Sequence, residues 1–253
     1  MDTAFVIGNG ESRTIFPLEL LKNHGTIYGC NAIYRDNPNL CHKIVSVNPE
    51  MIDELLQAKN KNKISPTTKI YSKDDLPKFN YAFLKPKKNK YEPEKVDPFR
   101  FWFGSKGFGP GRTKKLDFAK SRGSGCSAVH LACHDGHKNI FIIGFDILGA
   151  RQWESHEGQL SRIQNNIYKN SRNYPDRSNM KAYLKFEWIY QLRQLAIHYH
   201  DKNFYYINRL EYLERNVYLH DTMKDIQNFK YGIYADLKKF VDTDSIRIQW
   251  KRY

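Results

Sequence analysis

Short apolar runs alternate along the chain with stretches of helical period, and glycine, asparagine or proline stands at the junctions between them. Ala4-Phe5-Val6-Ile7 is a short β run that breaks into Gly8-Asn9-Gly10-Glu11-Ser12. Phe16-Pro17-Leu18-Glu19-Leu20-Leu21-Lys22 predicts a short helix stopped at His24-Gly25, and Thr26-Ile27-Tyr28-Gly29-Cys30 a second strand that exits into Asn31. A third strand is expected over residues 43–47. It ends at Asn48-Pro49, where asparagine suits an N-cap and proline the first helical position of a helix continuing through Met51 and Leu56. Residues 58–63 read as a surface loop and Lys69-Ile70-Tyr71 as a further strand. Gly123-Ser124-Gly125 opens a helix that closes at Asp135-Gly136, followed by a buried strand over residues 139–144 leaving into Phe145-Asp146. A long helix over residues 181–199 carries Leu184, Trp188, Leu192 and Leu195 on one stripe, and Phe204-Tyr205-Tyr206-Ile207-Asn208 is the last clear strand.

Such alternation predicts an α/β fold with a Rossmann-like parallel sheet, whose ligand crevice lies beyond the carboxyl ends of the strands. Asn9, Asn31 and Asn48 all fall at those ends. The chain of 253 residues is expected to form one α/β domain, interrupted at residues 76–122 by a basic insertion and followed at 209–253 by a mixed C-terminal extension. In the insertion, basic residues, aromatics and glycines are interleaved; Lys87, Lys88, Lys106, Arg112, Lys114 and Lys115 are its candidate phosphate contacts. Structureless loops beyond about 15 residues are uncommon in compact domains, so the stretch is either an acceptor-binding lid or a solvated insertion.

Charge sharpens this picture. Lys and Arg total 41 against 27 acidic residues, a formal +14, which favours a polyanionic partner such as DNA, with biased or solubilising composition as the alternative. No apolar run is long enough to span a bilayer, and Met1-Asp2-Thr3 lacks the basic start of a signal peptide. A soluble cytoplasmic protein without a membrane partner is expected, in the host cytoplasm if the chain is phage-encoded. Cys30, Cys41, Cys126 and Cys133 lack paired zinc spacing, and reduced thiols are expected. The sequence leaves the oligomeric state open.

For chemistry, the opening stretch has two readings. Glycines at positions 8 and 10 allow positive φ and close approach of a ligand, and Ser12, with N-cap character, marks a helix start that favours an anion, as in a phosphate loop. The other reading is an ordinary strand-to-helix turn, since the third glycine of the dinucleotide fingerprint is missing. His130, Cys133, His134 and His137 resemble a metal cluster by residue type, but their helical spacing fits a satisfied helix face and no metal is expected. Asp242-Thr243-Asp244 lies away from any central strand and reads as a turn. Gly-x-Ser-x-Gly, Walker and paired-histidine signatures are absent. A general base would come from the polar stretch after Asp146.

In order and at similar intervals, Gly8-Asn9-Gly10-Glu11-Ser12, Cys30-Asn31-Ala32-Ile33-Tyr34, Val47-Asn48-Pro49, Gly123-Ser124-Gly125 and Gly144-Phe145-Asp146 resemble the bacterial lipooligosaccharide sialyltransferases. The resemblance covers roughly the first 50 residues and about 120 to 150, and extends to small tailed-phage proteins with the same opening, a group that fits phage DNA glycosyltransferases. It implies a Rossmann-like glycosyltransferase fold, a nucleotide-sugar donor (UDP- or CMP-linked) as substrate, inversion at the sugar, and neither a catalytic metal nor a tightly bound cofactor. By the same resemblance Gly8, Asn9, Gly10 and Ser12 line the phosphate and ribose, Asn31 and Asn48 contact the donor, and Ser124, Gly144 and Asp146 hold base and ribose. Tyr168 and Tyr174 take the place of tyrosines on the leaving phosphate. Glu11 stands where family members usually carry proline, and Asp176-Arg177 where a histidine base is expected, so Asp176, His156 and Glu154 are the base candidates. The expected reaction is sugar transfer to a hydroxyl, with hydroxymethylated phage DNA as acceptor. Transfer to a glycan, a pterin-type pyrophosphokinase and a non-catalytic DNA-binding module are the alternatives.

Overall fold

The computed structural model describes residues 2–72, 123–146, 183–243 and 250. Within them the strands are β1 (Thr3–Ile7), β2 (Thr26–Cys30), β3 (Lys43–Val45), β4 (Lys69–Tyr71), β5 (Asn139–Ile143), β6 (Asn203–Asn208) and β7 (Phe229–Ile233). The helices are α1 (Pro49–Asn60), α2 (Ser124–His134), α3 (Tyr183–His198), α4 (Leu210–Arg215), α5 (Val217–Met223) and α6 (Tyr234–Thr243). Every strand pair is parallel, and the order across the sheet is β4-β3-β2-β1-β5-β6-β7. The chain winds outward from β1 to β4, then restarts at β5 on the other side of β1. The fold is therefore doubly wound α/β, and the strand order reverses between β1 and β5, where such sheets bind ligands.

Both faces of the sheet are covered, which is why its central strands are apolar at successive positions. Ala4, Val6, Tyr28, Ile140, Ile142, Phe204 and Tyr206 face one layer, with Val129 and Ala132 of α2 and Ile189, Leu192 and Ala196 of α3. Phe5, Ile7, Ile27, Phe141, Ile143, Tyr205 and Ile207 face the other, with Met51 and Leu55 of α1 and Leu237 and Phe240 of α6. Phe141 sits at the centre of that second layer, its ring 4.7 Å from Tyr205 and 4.8 Å from Phe240. The expected N-cap is present: the Asn48 side chain accepts from the Met51 N–H, with Pro49 in the first turn.

Several local expectations are corrected. The helix expected over residues 16–22 is a 3-10 helix, Leu18–Asn23, preceded by another, Glu11–Ile15, whose N-cap is Gly10 and not Ser12. Residues 58–60 belong to α1, because Ala58 is buried in the second layer. The stretch read as a C-terminal extension supplies β7 and the covering helix α6. Lys230 and Gly232 hide β7 in the sequence, and Gly232 is small because the Trp250 ring lies 2.5 Å from where its Cβ would be. Asp242 and Thr243 end α6, with Asp242 paired to Lys238 one turn earlier. The four cysteines are buried. His130 and His137 are buried and hydrogen-bonded to the Tyr199 and Tyr28 hydroxyls, at 2.9 and 3.0 Å, so these two satisfy their rings on opposite partners. Among the described residues no helix is long and apolar enough to cross a membrane, and no three His, Cys, Asp or Glu side chains are grouped to hold a metal ion.

One pH dependence follows from the fold. His42 Nδ1 accepts the Ile27 N–H at 3.0 Å, which requires a neutral ring, and desolvation followed by the nearby Lys22 lowers its pKa; His198 is lowered as well, chiefly by burial. The unfolded chain therefore takes up these protons first as pH falls, and stability is lost below the ordinary histidine value of about 6.5. Melting temperature should decline from pH 7.5 to 5.5, less steeply in His42→Ala; an equal slope in the variant removes His42 from the account.

Candidate functional site

The site is built where β1 and β5 leave the sheet side by side. Their pairing continues past the strand ends: the Gly8 N–H donates to the Ile143 carbonyl at 2.8 Å and the Gly10 N–H to the Gly144 carbonyl at 2.7 Å. This close approach explains the glycines. A Cβ on Gly8 would lie 2.5 Å from the Gly144 oxygen, and one on Gly10 2.4 Å from Asp146 Cγ. Neither residue has the positive φ expected of a phosphate loop; that conformation falls instead on Gly144, at +69°.

Asp146 is the hub. Its Oδ2 accepts the Ser12 N–H at 2.8 Å, and its Oδ1 accepts the Ser12 hydroxyl at 2.5 Å and the Asn208 amide at 3.2 Å. Tyr234, at the start of α6, donates its hydroxyl to Ser12 Oγ at 3.1 Å, and burial raises its phenol pKa, so it stays a donor. Asp146 itself is half-buried, while Ser12 and Asn208 are 0% and 1% exposed. A carboxylate has about four acceptor positions, and three are engaged here. The three bonds fix the orientation of the carboxylate.

Arg13 braces the loop from below. It is 1% exposed, donates from Nη1 to the carbonyls of Gly10 at 2.7 Å and Asn9 at 3.3 Å, and pairs through Nη2 with Asp36. Burial pulls its pKa down, opposed by the carboxylates of Asp36 and Asp146. Asn9 sits above this brace with a different fate: its Oδ1 is buried and has no hydrogen-bond partner among the described residues. Buried acceptors are nearly always satisfied, which sets this oxygen apart from the other polar atoms of the loop.

The second wall comes from β2, β3 and α2. Asn31 takes a left-handed conformation, φ +51°, and its Oδ1 accepts the Ser46 hydroxyl at 2.8 Å. Ser46 in turn receives the Asn48 N–H at 3.4 Å, and Ser124 Oγ accepts the Val47 N–H at 3.1 Å, tying α2 to the exit of β3. The two walls meet at Phe145, whose ring lies 2.7 Å from where a Gly125 Cβ would stand and whose carbonyl accepts the Tyr206 hydroxyl.

Of the residues singled out in the sequence, Gly8, Asn9, Gly10, Ser12, Gly144 and Asp146 are thus in one hydrogen-bonded unit, and Asn31, Asn48 and Ser124 in a second beside it. Ser12 lies beneath Asp146, and its N–H is spent there. Glu154, His156, Tyr168, Tyr174 and Asp176, and Lys87, Lys88, Lys106, Arg112, Lys114 and Lys115, lie outside the described residues. Arg13, Asn208 and Tyr234 were not assigned to the site from sequence. Asn208 carried the same signal as Asn9 and Asn31, an asparagine at a strand exit; Tyr234 carried none, because the strand before it was hidden.

The unpartnered Asn9 oxygen yields a prediction. Asn9→Ala removes a buried acceptor without a partner among the described residues, so stability should be unchanged or rise by up to about 1 kcal/mol. Urea unfolding checks this. A clear loss of stability would show that the oxygen is already satisfied in the protein.

These features define a doubly wound α/β protein with a polar, acceptor-rich crevice at its switch point. No family model and no curated protein matches the sequence. Among solved structures the chain is similar to the Campylobacter jejuni sialyltransferase CstII in complex with cytidine-5'-monophosphate, at 20% identity over 81% of this chain and 79% of that one, TM-score 0.39. It is similar also to the CstII complex with CMP-3FNeuAc, at 19% identity, 81% and 80% coverage and TM-score 0.41. The apo alpha-2,3-sialyltransferase of the same organism gives 20% identity, 81% and 75% coverage and TM-score 0.39.

Proposed function

We infer that the chain is a nucleotide-sugar-dependent glycosyltransferase. The observation that carries the reading is the pairing, one glycine apart, of the buried unpartnered Asn9 oxygen with the thrice-bonded Asp146 carboxylate at the switch point. Both are acceptors, and the donors of a nucleotide are its ribose hydroxyls and base amino or imino groups. An acidic side chain at a strand exit binding ribose is a recurrent use of this fold class. Sugar transfer is drawn from the five short motifs that resemble the lipooligosaccharide sialyltransferases.

In the reaction an acceptor hydroxyl forms a bond to the anomeric carbon as the bond from that carbon to the donor's phosphate oxygen breaks. The hydroxyl proton passes to Asp176, His156 or Glu154, and Tyr168 and Tyr174 donate hydrogen bonds to the departing phosphate. The excess of 41 basic over 27 acidic residues supports a polyanionic acceptor, and hydroxymethylated DNA offers both the charge and the hydroxyl. A base in a duplex would have to be flipped out to react.

The test incubates the full chain with a panel of CMP- and UDP-sugars and either hydroxymethylcytosine DNA or an oligosaccharide, followed by mass spectrometry. A mass gain on the base supports the DNA acceptor, and a gain on the oligosaccharide alone replaces it with a glycan. No transfer from any donor overturns the transferase reading. ATP consumption with a pterin, or salt-dependent DNA binding without thermal protection by nucleotides, would then select the pyrophosphokinase or the DNA-binding module.

A further inference from the structure

In the loop after β1, three backbone donors are already spent. The N–H groups of Gly8, Gly10 and Ser12 are all engaged with residues 143–146, and the buried Arg13 is committed to Asn9, Gly10 and Asp36. A positive charge for an anion would therefore come from a side chain other than Arg13.

Arg209 supplies one. It follows Asn208 at the exit of β6, while Glu11 follows Gly10 after β1, so the two side chains meet across the end of β5. Their closest approach is only 4.0 Å, Nη2 to Oε1, with the two side chains 25% and 19% exposed. A guanidinium seated on a carboxylate lies at roughly 2.7–2.9 Å, so this is a loose pair with no hydrogen bond. The Arg209 Nε–H, moreover, is buried and has no acceptor among the described residues. Arg13 commits its guanidinium to Asn9, Gly10 and Asp36, whereas Arg209, next to the Asn208 that bonds Asp146, keeps a buried donor with no acceptor among the described residues. The Nε and Nη2 edge of a guanidinium matches two oxygens of one phosphate.

We propose that Arg209 is a phosphate-binding residue of the crevice, its cationic one, with Glu11 as the competing carboxylate that the phosphate displaces. This rests on the nucleotide reading and adds to it a division of labour. Asn9 and Asp146 accept from the nucleoside, and Arg209 donates to the phosphate. Glu11, where the resembling family usually carries proline, then tunes donor affinity in this chain.

The test titrates the full chain calorimetrically with cytidine, CMP, uridine and UMP. The wild type should bind one nucleoside monophosphate about ten- to a hundredfold more tightly than its nucleoside. Arg209→Gln should lose that increment and keep the nucleoside affinity, which also certifies its fold. Arg209→Lys should restore part of the increment, as a cation without the fork, and Glu11→Gln should tighten the monophosphate several-fold with the nucleoside unchanged. A full increment in Arg209→Gln overturns the proposal and leaves the nucleotide reading standing, as does equal binding of nucleoside and monophosphate by the wild type. If the wild type binds none of the four, both fall together.

Discussion

Asp146→Ala should lower the unfolding free energy by about 3–5 kcal/mol and abolish nucleoside binding. The substitution deletes the acceptor of three donors, the Ser12 N–H, the Ser12 hydroxyl and the Asn208 amide, on residues almost wholly removed from water. Each buried donor left unsatisfied costs about 1–3 kcal/mol, and the Ser12 hydroxyl can recover part of this by rotating. Asp146→Asn keeps the volume and one acceptor oxygen but turns an NH₂ toward these donors, so an intermediate loss of about 1–3 kcal/mol is expected. Urea unfolding decides the matter, provided the slope with denaturant is unchanged. Wild-type stability in the alanine variant would mean that the network contributes nothing to folding.

The second large effect is steric. Gly8→Ala places a Cβ 2.5 Å from the Gly144 carbonyl oxygen and 2.8 Å from the Phe145 ring, distances that force a backbone to move. The Gly8 N–H is bonded to Ile143 at 2.8 Å, so relief requires separating the ends of two central strands. A cost of roughly 2–4 kcal/mol is expected, with loss of ligand binding. Gly136→Ala is the matched control. There φ is +91° but nothing lies within 4 Å, so only the conformational cost applies, about 1–2 kcal/mol. If Gly136→Ala proves the more damaging of the two, the packing explanation of Gly8 fails.

The contrast between these glycines shows what the sequence could and could not convey. Local features were legible: the strand at Ala4-Phe5-Val6-Ile7, the Asn48-Pro49 helix start, and the stop at Gly136 each depend on neighbours within a few residues. Gly8 and Gly10 were recognisable as special, but the reason lay 134 or more residues away, in Gly144 and Asp146. Ser12 was misassigned as a cap for the same reason, since its N–H and hydroxyl are claimed by a carboxylate that only the parallel pairing of β1 with β5 brings near. The seventh strand escaped because a lysine and a glycine interrupt its apolar pattern, and with it went Tyr234 and the α6 layer.

The bonds that continue the β1–β5 pairing into the loop have a consequence for motion. The floor of the crevice belongs to the two central strands, and the Gly8 and Gly10 amides are hydrogen-bonded across them. Regions of this kind open only with the whole molecule, whereas surface loops fray at little cost. These two amides should therefore exchange with deuterium at the rate of global unfolding, and bound ligand should slow them only as far as it raises overall stability. Entry and departure of any ligand would then be governed by parts of the chain other than this floor.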